Sequence, residues 1–277
     1  MTSLAVTLSV DARGPSGIYI ITDSRITWDT DAVRWDAGQK AFASRRTADA
    51  FGFCGDAFFA PAILRQLLEQ VNAGLLFPDD LGASARHTIM IQAFLDAMQK
   101  RTDAPMRTFS IFHGAREGEL MMSHFRLWKT QYSAITDNWT DEELDIIDDS
   151  RSYLALVDGS GRREIEMRGR DWIGTVAEGT SRSAIWAFCD ALHSGKDVYS
   201  GGPPQLVGIW RKGPARSFGF LWHGKRYFAG LEVPQDAAWS SVEWFNHLFE
   251  RCDGKSGRRL RGAQSQRQPA RTNKASG

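Results

Sequence analysis

Two apolar runs near the start of the chain constrain its fold more than any other feature. Residues 4–10 alternate between apolar and polar side chains, and residues 18–22 are apolar or β-branched throughout. Between them, residues 11–17 contain Gly14-Pro15, which favours a turn. A strand without a polar face is buried on both sides. The two runs therefore predict a hairpin inside a layered fold, with other elements covering both faces of its sheet.

The rest of the chain continues with strands and helices in an α+β pattern. Apolar residues at helical spacing predict helices over residues 58–71, 83–100 and 181–192, and a last short helix over 238–249. Strand signals recur over residues 40–43, 48–54, 108–113, 120–125, 152–158, 164–167, 206–210, 217–222 and 227–231. The Asp158-Gly159-Ser160-Gly161 sequence between two of these runs predicts a hairpin turn. These patterns alone leave the order of the layers open.

Charge and composition divide the chain into a folded part and a tail. Residues 253–277 contain seven Lys or Arg and one Asp, a charge of +6, so residues 1–252 carry −5 to give the net charge of +1. The tail has no apolar period, which predicts a disordered, solvated segment. Residues 1–252 are predicted to form a single domain. Within it, residues 126–150 hold seven carboxylates between Asp137 and Asp149 and predict a surface insertion or helix.

Composition argues against several classes of protein. The sequence has neither a signal-peptide pattern nor an apolar run of about 18 residues, so we expect a cytoplasmic protein that does not enter a membrane. The three cysteines are far apart, which fits a reducing compartment rather than a disulfide framework or a metal site. The six histidines lack ligand spacing, and we expect neither a metal nor a cofactor. A basic tail without interleaved aromatics gives little reason to expect nucleic acid binding.

A hydroxyl residue follows the initiator methionine. Removal of Met1 would leave a free α-amine on Thr2, one carbon away from the carbon that carries its hydroxyl. An α-amine has a pKa of about 7.7–8.0 and can accept a proton near neutral pH. A threonine activated by its own amine is a known nucleophile. Many cytosolic chains begin with Met-Thr, so the interpretation of Thr2 depends on the motifs that follow.

Several short motifs follow Thr2 in a fixed order. They are Asp23-Ser24-Arg25-Ile26-Thr27, Gln39-Lys40-Ala41-Phe42, Phe51-Gly52-Phe53-Cys54-Gly55-Asp56, Gly179-Thr180-Ser181 and Asp197-Val198-Tyr199-Ser200-Gly201-Gly202. In this order and with these gaps, residues 2–60 and 175–232 resemble the proteasome β-subunit family, including its simpler bacterial relatives. The resemblance implies the four-layer α-β-β-α sandwich of N-terminal nucleophile (Ntn) hydrolases.

The resemblance also implies a catalytic role for several of these residues. Thr2 would be the nucleophile, with its α-amine as proton acceptor. Lys40 would lie close to the Thr2 hydroxyl and favour the alkoxide, and Asp23 would pair with Lys40. The backbone N–H of Gly55 would donate to the oxyanion.

Further motif residues are expected around the amine and the substrate. Asp197 and Ser200 would hydrogen-bond near the Thr2 amine, and Thr180 would replace a family serine that helps to hold it. The resemblance assigns the wall of the pocket for the side chain before the cut to Ile26, Phe42, Phe53 and Ala57. An apolar wall predicts a preference for apolar over charged side chains.

The predicted function is a threonine-type endopeptidase that cleaves amide bonds through an acyl-Thr2 ester, which water then hydrolyses. An amidase for a small molecule and a catalytically silent structural or binding subunit are the alternatives. Because the chain has no P-loop, folded substrates would need an external ATPase, and we expect peptides or unfolded proteins as substrates. A homo-oligomer is expected, and the sequence leaves open whether it is a ring, a helical assembly or a dimer.

Overall fold

The predicted N-terminal hairpin forms the centre of the structure. In the computed structural model, which describes residues 2–28, 33–102, 107–146 and 150–265, β1 (Ser3–Asp11) pairs antiparallel with β2 (Gly14–Thr22). Both strands are buried over most of their length. The sequence of β2, which has no polar face, therefore correctly predicted a buried strand.

The remaining elements alternate between groups of strands and pairs of helices. In chain order they are β3 (Ile26–Trp28), β4 (Val33–Trp35), β5 (Ala41–Ala43), β6 (Asp49–Gly55), α1 (Phe59–Asn72), α2 (Ala83–Gln99), β7 (Phe109–Glu117), β8 (His124–Ser133), β9 (Asn138–Leu144), β10 (Tyr153–Gly159), α3 (Arg162–Arg170), α4 (Ser181–Ser194), β11 (Gln205–Trp210), β12 (Arg216–Trp222), β13 (Lys225–Phe228), β14 (Leu231–Glu232), β15 (Trp244–Asn246) and β16 (Arg251–Cys252). The helices predicted over residues 58–71, 83–100 and 181–192 are α1, α2 and α4, which confirms them.

The strands of the described residues form three sheets. The largest has nine strands in the order β10-β1-β2-β11-β12-β13-β14, with β15 beside β12 and β16 beside β15. A second sheet has the order β5-β6-β7-β8-β9, and β3 and β4 form a third. Every pair of strands is antiparallel except β12 and β15. Both β1 and β2 are interior strands of the largest sheet, since β10 pairs with β1 and β11 pairs with β2.

The predicted four-layer α-β-β-α sandwich is wrong. Strands make up 36% and helices 24% of the described residues, and the strands divide among several sheets, so the structure is mostly antiparallel β. The prediction underestimated the strand content in two places. Residues 126–150, predicted as a surface insertion or helix, contain most of β8 and all of β9. Residues 238–249, predicted as a helix, contain a short 3-10 turn and β15.

One predicted strand is a helix. Residues 164–167 lie within α3, where the ion pairs Arg162–Glu166 and Glu164–Arg168 join residues four apart. Such pairs stabilise a helix and cannot form in the same way along a strand. The Asp158–Gly161 segment consequently connects β10 to α3 and is not the hairpin turn that was predicted.

Three large apolar clusters hold most of the described elements together. The first joins α1 and α2 to β5, β6 and β7, and includes Phe42, Phe53 and Phe94. The second lies between β1 and β2 on one side and β6 to β8 on the other. The third packs α4 against β1, β2, β11 and β12. The N-terminal hairpin contributes to the second and third clusters, so both of its faces are covered.

Residues 253–265, the described part of the predicted tail, contact the strands before them. Leu260 N donates to Arg251 O at 2.9 Å, and Arg226 Nε donates to Gly254 O at 2.6 Å. Residues 266–277 lie outside the described residues. In the described part of the chain, each helix is too short or too polar to cross a membrane.

Candidate active site

Asp23 and Lys40 form a completely buried ion pair. Asp23 directly follows β2, and Lys40 directly precedes β5. Lys40 Nζ lies 2.8 Å from Asp23 Oδ1, and both side chains have 0% exposure. A charge this deeply buried is strongly destabilising unless it is paired. The structure therefore brings together two residues from distant motifs, and each depends on the other.

Asp23 also accepts hydrogen bonds from three backbone N–H groups. Ser3 N donates to Oδ1 at 3.0 Å, and Arg25 N and Gly201 N donate to Oδ2 at 3.0 and 2.9 Å. Hydrogen bonds to a charged acceptor are stronger than neutral ones and fix its orientation. Asp23 thereby connects the start of β1 to the loop that precedes β11.

Gln205 also positions the segment that carries Lys40. Its Oε1 accepts from Lys40 N at 3.0 Å, and its Nε2 donates to Gly38 O at 2.7 Å and to Ser24 Oγ at 2.8 Å. The Lys40 ammonium has three donors. Within the described residues, Asp23 is its one acceptor. Two donors of a buried cation can therefore serve a further group.

The backbone of Thr2 lies against the segment between β10 and α3. Ser160 N donates to Thr2 O at 2.8 Å. A Cβ on Gly159 would lie 1.8 Å from that same oxygen, and Gly159 has a φ of 90°. Both the close approach and the dihedral require glycine. Thr2 itself is 1% exposed, so its surroundings are part of the protein interior.

A chain of serine hydroxyls connects β1 to Asp197. Asp197 Oδ2 accepts from Ser160 Oγ at 2.7 Å and from Ser200 Oγ at 2.6 Å. Ser3 Oγ lies 2.7 Å from Ser200 Oγ. Because a carboxylate only accepts, the Ser200 proton points to Asp197, and Ser3 is the donor to Ser200. A Cβ on Gly161 would lie 1.9 Å from Ser3 Oγ, so the contact needs glycine there.

Thr180 lies away from this group. It is the N-cap residue of α4. Next to it, Gly179 O accepts from Ser152 N at 2.9 Å, and Ser152 Oγ accepts from Val10 N at 2.9 Å. These bonds place Thr180 beside the end of β1 opposite to Thr2.

Gly55 ends β6 close to the Thr2 segment. Its φ is 102°, and a Cβ would lie 2.3 Å from Thr108 O. The neighbouring Cys54 Sγ is 3.4 Å from the position of a Cβ on Gly159. Burial raises the pKa of the Cys54 thiol, which therefore stays protonated and is a poor nucleophile.

The four predicted pocket residues occupy two places. Phe42, Phe53 and Ala57 lie in or against the first apolar cluster, under α1. Ile26 begins β3 and is buried against Gly38, where a Cβ would lie 2.4 Å from its Cγ1. Phe53 is 0% exposed, so in this structure its side chain fills the core.

Sequence reasoning missed three residues of this site, namely Ser3, Ser160 and Gln205. The available signal for Ser160 was the sequence Gly159-Ser160-Gly161, which has a serine where Gly179-Thr180-Ser181 has a threonine. The preceding aspartate suggested a hairpin turn instead. The available signal for Ser3 was its place directly after Thr2, as a second hydroxyl residue. Gln205 stands at the start of an apolar strand, where a polar residue needs a partner when buried.

Among the residues that the structure describes, no cluster of three or more His, Cys, Asp or Glu could hold a metal ion. The chemistry available is that of a buried ammonium, a carboxylate with two hydroxyls, and a hydroxyl residue at position 2.

The fold that carries this site is proteasome-related. Among solved structures, the chain is similar to the Gly-1 mutant of Anbu from Hyphomicrobium sp. strain MC1, with a TM-score of 0.50, 14% sequence identity, and coverage of 78% of this chain and 86% of that chain. Anbu is a bacterial proteasome-like relative of the Ntn hydrolases. At this identity the similarity concerns the fold alone. No protein-family model and no curated protein matches the sequence.

Proposed function

We propose that the protein is an Ntn hydrolase in which Thr2 attacks an amide bond. The observation that carries this proposal is the buried Asp23–Lys40 pair beside the start of β1. Apolar residues of similar volume often stabilise a fold as well as a buried ion pair does. Complete burial of an ammonium with two donors available is better explained by a need for positive charge during a reaction.

Removal of Met1 makes Thr2 reactive in this proposal. The new α-amine takes the hydroxyl proton, directly or through water, and the oxygen attacks the carbonyl carbon. Lys40 stabilises the developing alkoxide, and Asp23 keeps the ammonium in place. Gly55 N–H donates to the oxyanion, a contribution of about 3–4 kcal/mol for one such donor.

The group formed by Ser160, Asp197 and Ser200 is proposed to hold the α-amine. Both hydroxyl protons point to Asp197. The serine oxygens therefore keep lone pairs that can accept N–H groups of the amine. With its N–H groups engaged in this way, a neutral amine keeps its own lone pair for the Thr2 proton.

The leaving amine then departs with the proton, and water hydrolyses the acyl-Thr2 ester. We propose peptides or unfolded chains as substrates. Folded substrates require an external ATPase in this proposal. We also propose that the protein works as a homo-oligomer.

The proposal is tested with Thr2→Ala beside a matched control variant. Thr88→Ala changes an exposed threonine on α2. Intact mass first establishes that Met1 is absent from each protein. Turnover of an unstructured peptide library is expected to fall at least about a thousandfold in Thr2→Ala and to be unchanged in Thr88→Ala.

Labelling by an aliphatic β-lactone locates the nucleophile. Ring opening acylates a hydroxyl and adds the full mass of the lactone, and the adduct is expected on Thr2 in the wild type and to be missing in Thr2→Ala. Equal turnover in both proteins would remove Thr2 from the mechanism, whereas the absence of turnover and of an adduct in both would favour a silent subunit. Cleavage of small acyl amides without any cleavage of peptides would favour the amidase.

A further inference from the structure

A cavity of 560 Å³ lies between α4, the β12–β13 hairpin and the C-terminal segment. Trp186 on α4, Trp222 at the end of β12, and Ser256 contribute to its walls. Its volume lies within the range of roughly 300–1,000 Å³ that is typical of small-molecule sites. The candidate active site contributes none of its described lining residues, so this cavity is separate from the proposed chemistry.

Three histidines face the cavity from three different elements. His193 lies near the end of α4, His223 lies in the β12–β13 turn, and His247 directly follows β15. The His193 and His223 rings have centroids 5.1 Å apart, and the His247 ring lies 5.5 Å from that of Trp186. Among the described residues, no side chain or backbone group hydrogen-bonds to these three imidazoles. Each imidazole offers two ring nitrogens to a ligand.

An arginine also lines the same cavity. Arg226 on β13 donates from Nε to Gly254 O and from Nη2 to Lys255 O, both at 2.6 Å. These bonds hold the C-terminal segment against the hairpin. The Nη1 group has no acceptor among the described residues, and it adds a fixed positive charge to the three imidazoles.

The carboxylates around the cavity already have partners. Asp190 lies 3.2 Å from Arg168 Nε, and Asp253 accepts from both the backbone and the hydroxyl of Ser256. Glu250, three residues after His247, accepts from Asn246 Nδ2 at 2.9 Å. Lys225, at the hairpin, pairs with Glu232. The polar groups left for a ligand are the three imidazoles and the Arg226 guanidinium, and protonated imidazoles together with this guanidinium favour an anion.

A metal ion does not fit these side chains. The described residues contain no group of three or more His, Cys, Asp or Glu with a geometry that could hold one. The cavity wall also includes two indole rings, and aromatic rings pack with other aromatic rings in offset or edge-on arrangements. A ligand that contacts both the indole rings and the imidazole and guanidinium groups has a planar ring and a negative group.

We propose that this cavity binds a small aromatic anion, with its ring against Trp186 and Trp222 and its negative group among His193, His223, His247 and Arg226. Histidines gain charge as the pH falls, so binding strengthens toward acidic pH. Burial and the other two histidines lower the pKa of His247.

Isothermal titration with naphthalene-2-sulfonate tests the proposal on the full chain. The uncharged naphthalene-2-sulfonamide serves as the matched ligand. We expect saturable binding of the sulfonate that is about tenfold tighter at pH about 6 than at pH about 8, and weaker binding of the sulfonamide at both values.

Two variants test separately the contact with the ligand's ring and the contact with its negative group. His193→Ala with His223→Asn removes two imidazoles from exposed positions, where asparagine tolerates the positive φ of residue 223. It is expected to reduce the preference for sulfonate and the pH dependence, while Arg226 and His247 remain. Trp186→Leu is expected to weaken both ligands, and His124→Ala, at an exposed position on β8, is expected to change neither.

The melting temperature of each variant shows whether it is folded. If Trp186→Leu does not fold, the result for the double histidine variant alone decides whether the proposal holds. Absence of saturable binding by the wild type at millimolar sulfonate would overturn the proposal. Binding that is equal for sulfonate and sulfonamide, or unchanged in the double histidine variant, would overturn it as well.

Discussion

Lys40 Nζ lies 2.8 Å from Asp23 Oδ1, and neither side chain has any exposed surface. The pair supports the fold and, in the proposed mechanism, supplies the positive charge. Asp23→Asn keeps the shape of the side chain but leaves the buried ammonium without its counter-ion. We expect this variant to lose about 3–5 kcal/mol of unfolding free energy in urea titrations.

A double variant separates the two roles of the pair. Asp23→Asn with Lys40→Met removes both charges, so it is expected to regain part of the lost stability while peptide turnover stays absent. Glu232→Gln, which breaks the exposed Lys225–Glu232 pair, is the control and should change stability little. Wild-type turnover in the double variant would exclude a catalytic role for Lys40.

Ser160 and Thr180 provide a second pair of contrasting predictions. Ser160→Ala removes one of the two hydroxyls that donate to Asp197, and we expect roughly a hundredfold loss of kcat at nearly unchanged stability. Thr180→Ala removes the N-cap of α4 and is expected to cost about 1 kcal/mol of stability with little effect on kcat. Steady-state kinetics and urea titration of both variants check this. A large loss of kcat in Thr180→Ala, with little loss in Ser160→Ala, would instead assign the catalytic role to Thr180.

Gly161 is predicted to tolerate no side chain. A Cβ there would lie 1.9 Å from Ser3 Oγ and 3.3 Å from Asp197 Oδ2. Gly161→Ala should therefore displace Ser3 and lower both the melting temperature and the turnover. Gly169→Ala is the matched control, since a Cβ at that position of α3 has a nearest contact at 3.7 Å and alanine favours a helix. Equal melting temperatures for the two variants would contradict the packing around Ser3.

The sequence was sufficient to predict the parts of this protein that depend on local pattern. The continuous apolar run of β2 predicted its burial, and the helical spacing of apolar residues predicted α1, α2 and α4. Each of these depends on a few neighbouring residues, which a sequence displays directly. The pairing of Asp23 with Lys40 was expected from the resemblance of their motifs to a known family, and the two side chains meet in the structure.

Other parts depended on contacts between distant segments and could not be read in this way. Residues 162–170 have a single buried side chain, Ile165, so α3 depends on ion pairs that the apolar pattern does not reveal. β15 forms because Trp244 packs over Gly219 beside β12. The place of Ser160 depends on the approach of Gly159 to Thr2 O, whereas its neighbours in sequence resemble a hairpin turn.

A buried histidine pair predicts the response of stability to acid. His87 Nδ1 lies 2.9 Å from His113 Nδ1, between α2 and β7. His113 Nε2 lies 3.0 Å from Asp49 Oδ1, and His87 Nε2 lies 3.2 Å from Asp141. Burial, followed by the charge of His113, lowers the pKa of His87 from 6.5 to about 4.

The sign of the effect follows from the lowered pKa. Below pH about 6.5 the unfolded chain takes up a proton at His87 that the folded chain refuses, so the unfolding free energy falls as the pH falls. The loss is complete below pH about 4 and is on the order of 3 kcal/mol. Asp49, whose pKa is also lowered, adds a further loss below its usual value of 3.8.

Urea titrations between pH about 7 and about 4 test this prediction. His87→Gln cannot take up the proton, so its unfolding free energy is expected to change less over this interval than that of the wild type. His124→Gln, at an exposed position on β8, is the control and should follow the wild-type curve. Parallel curves for His87→Gln and the wild type would show that His87 does not carry the acid sensitivity.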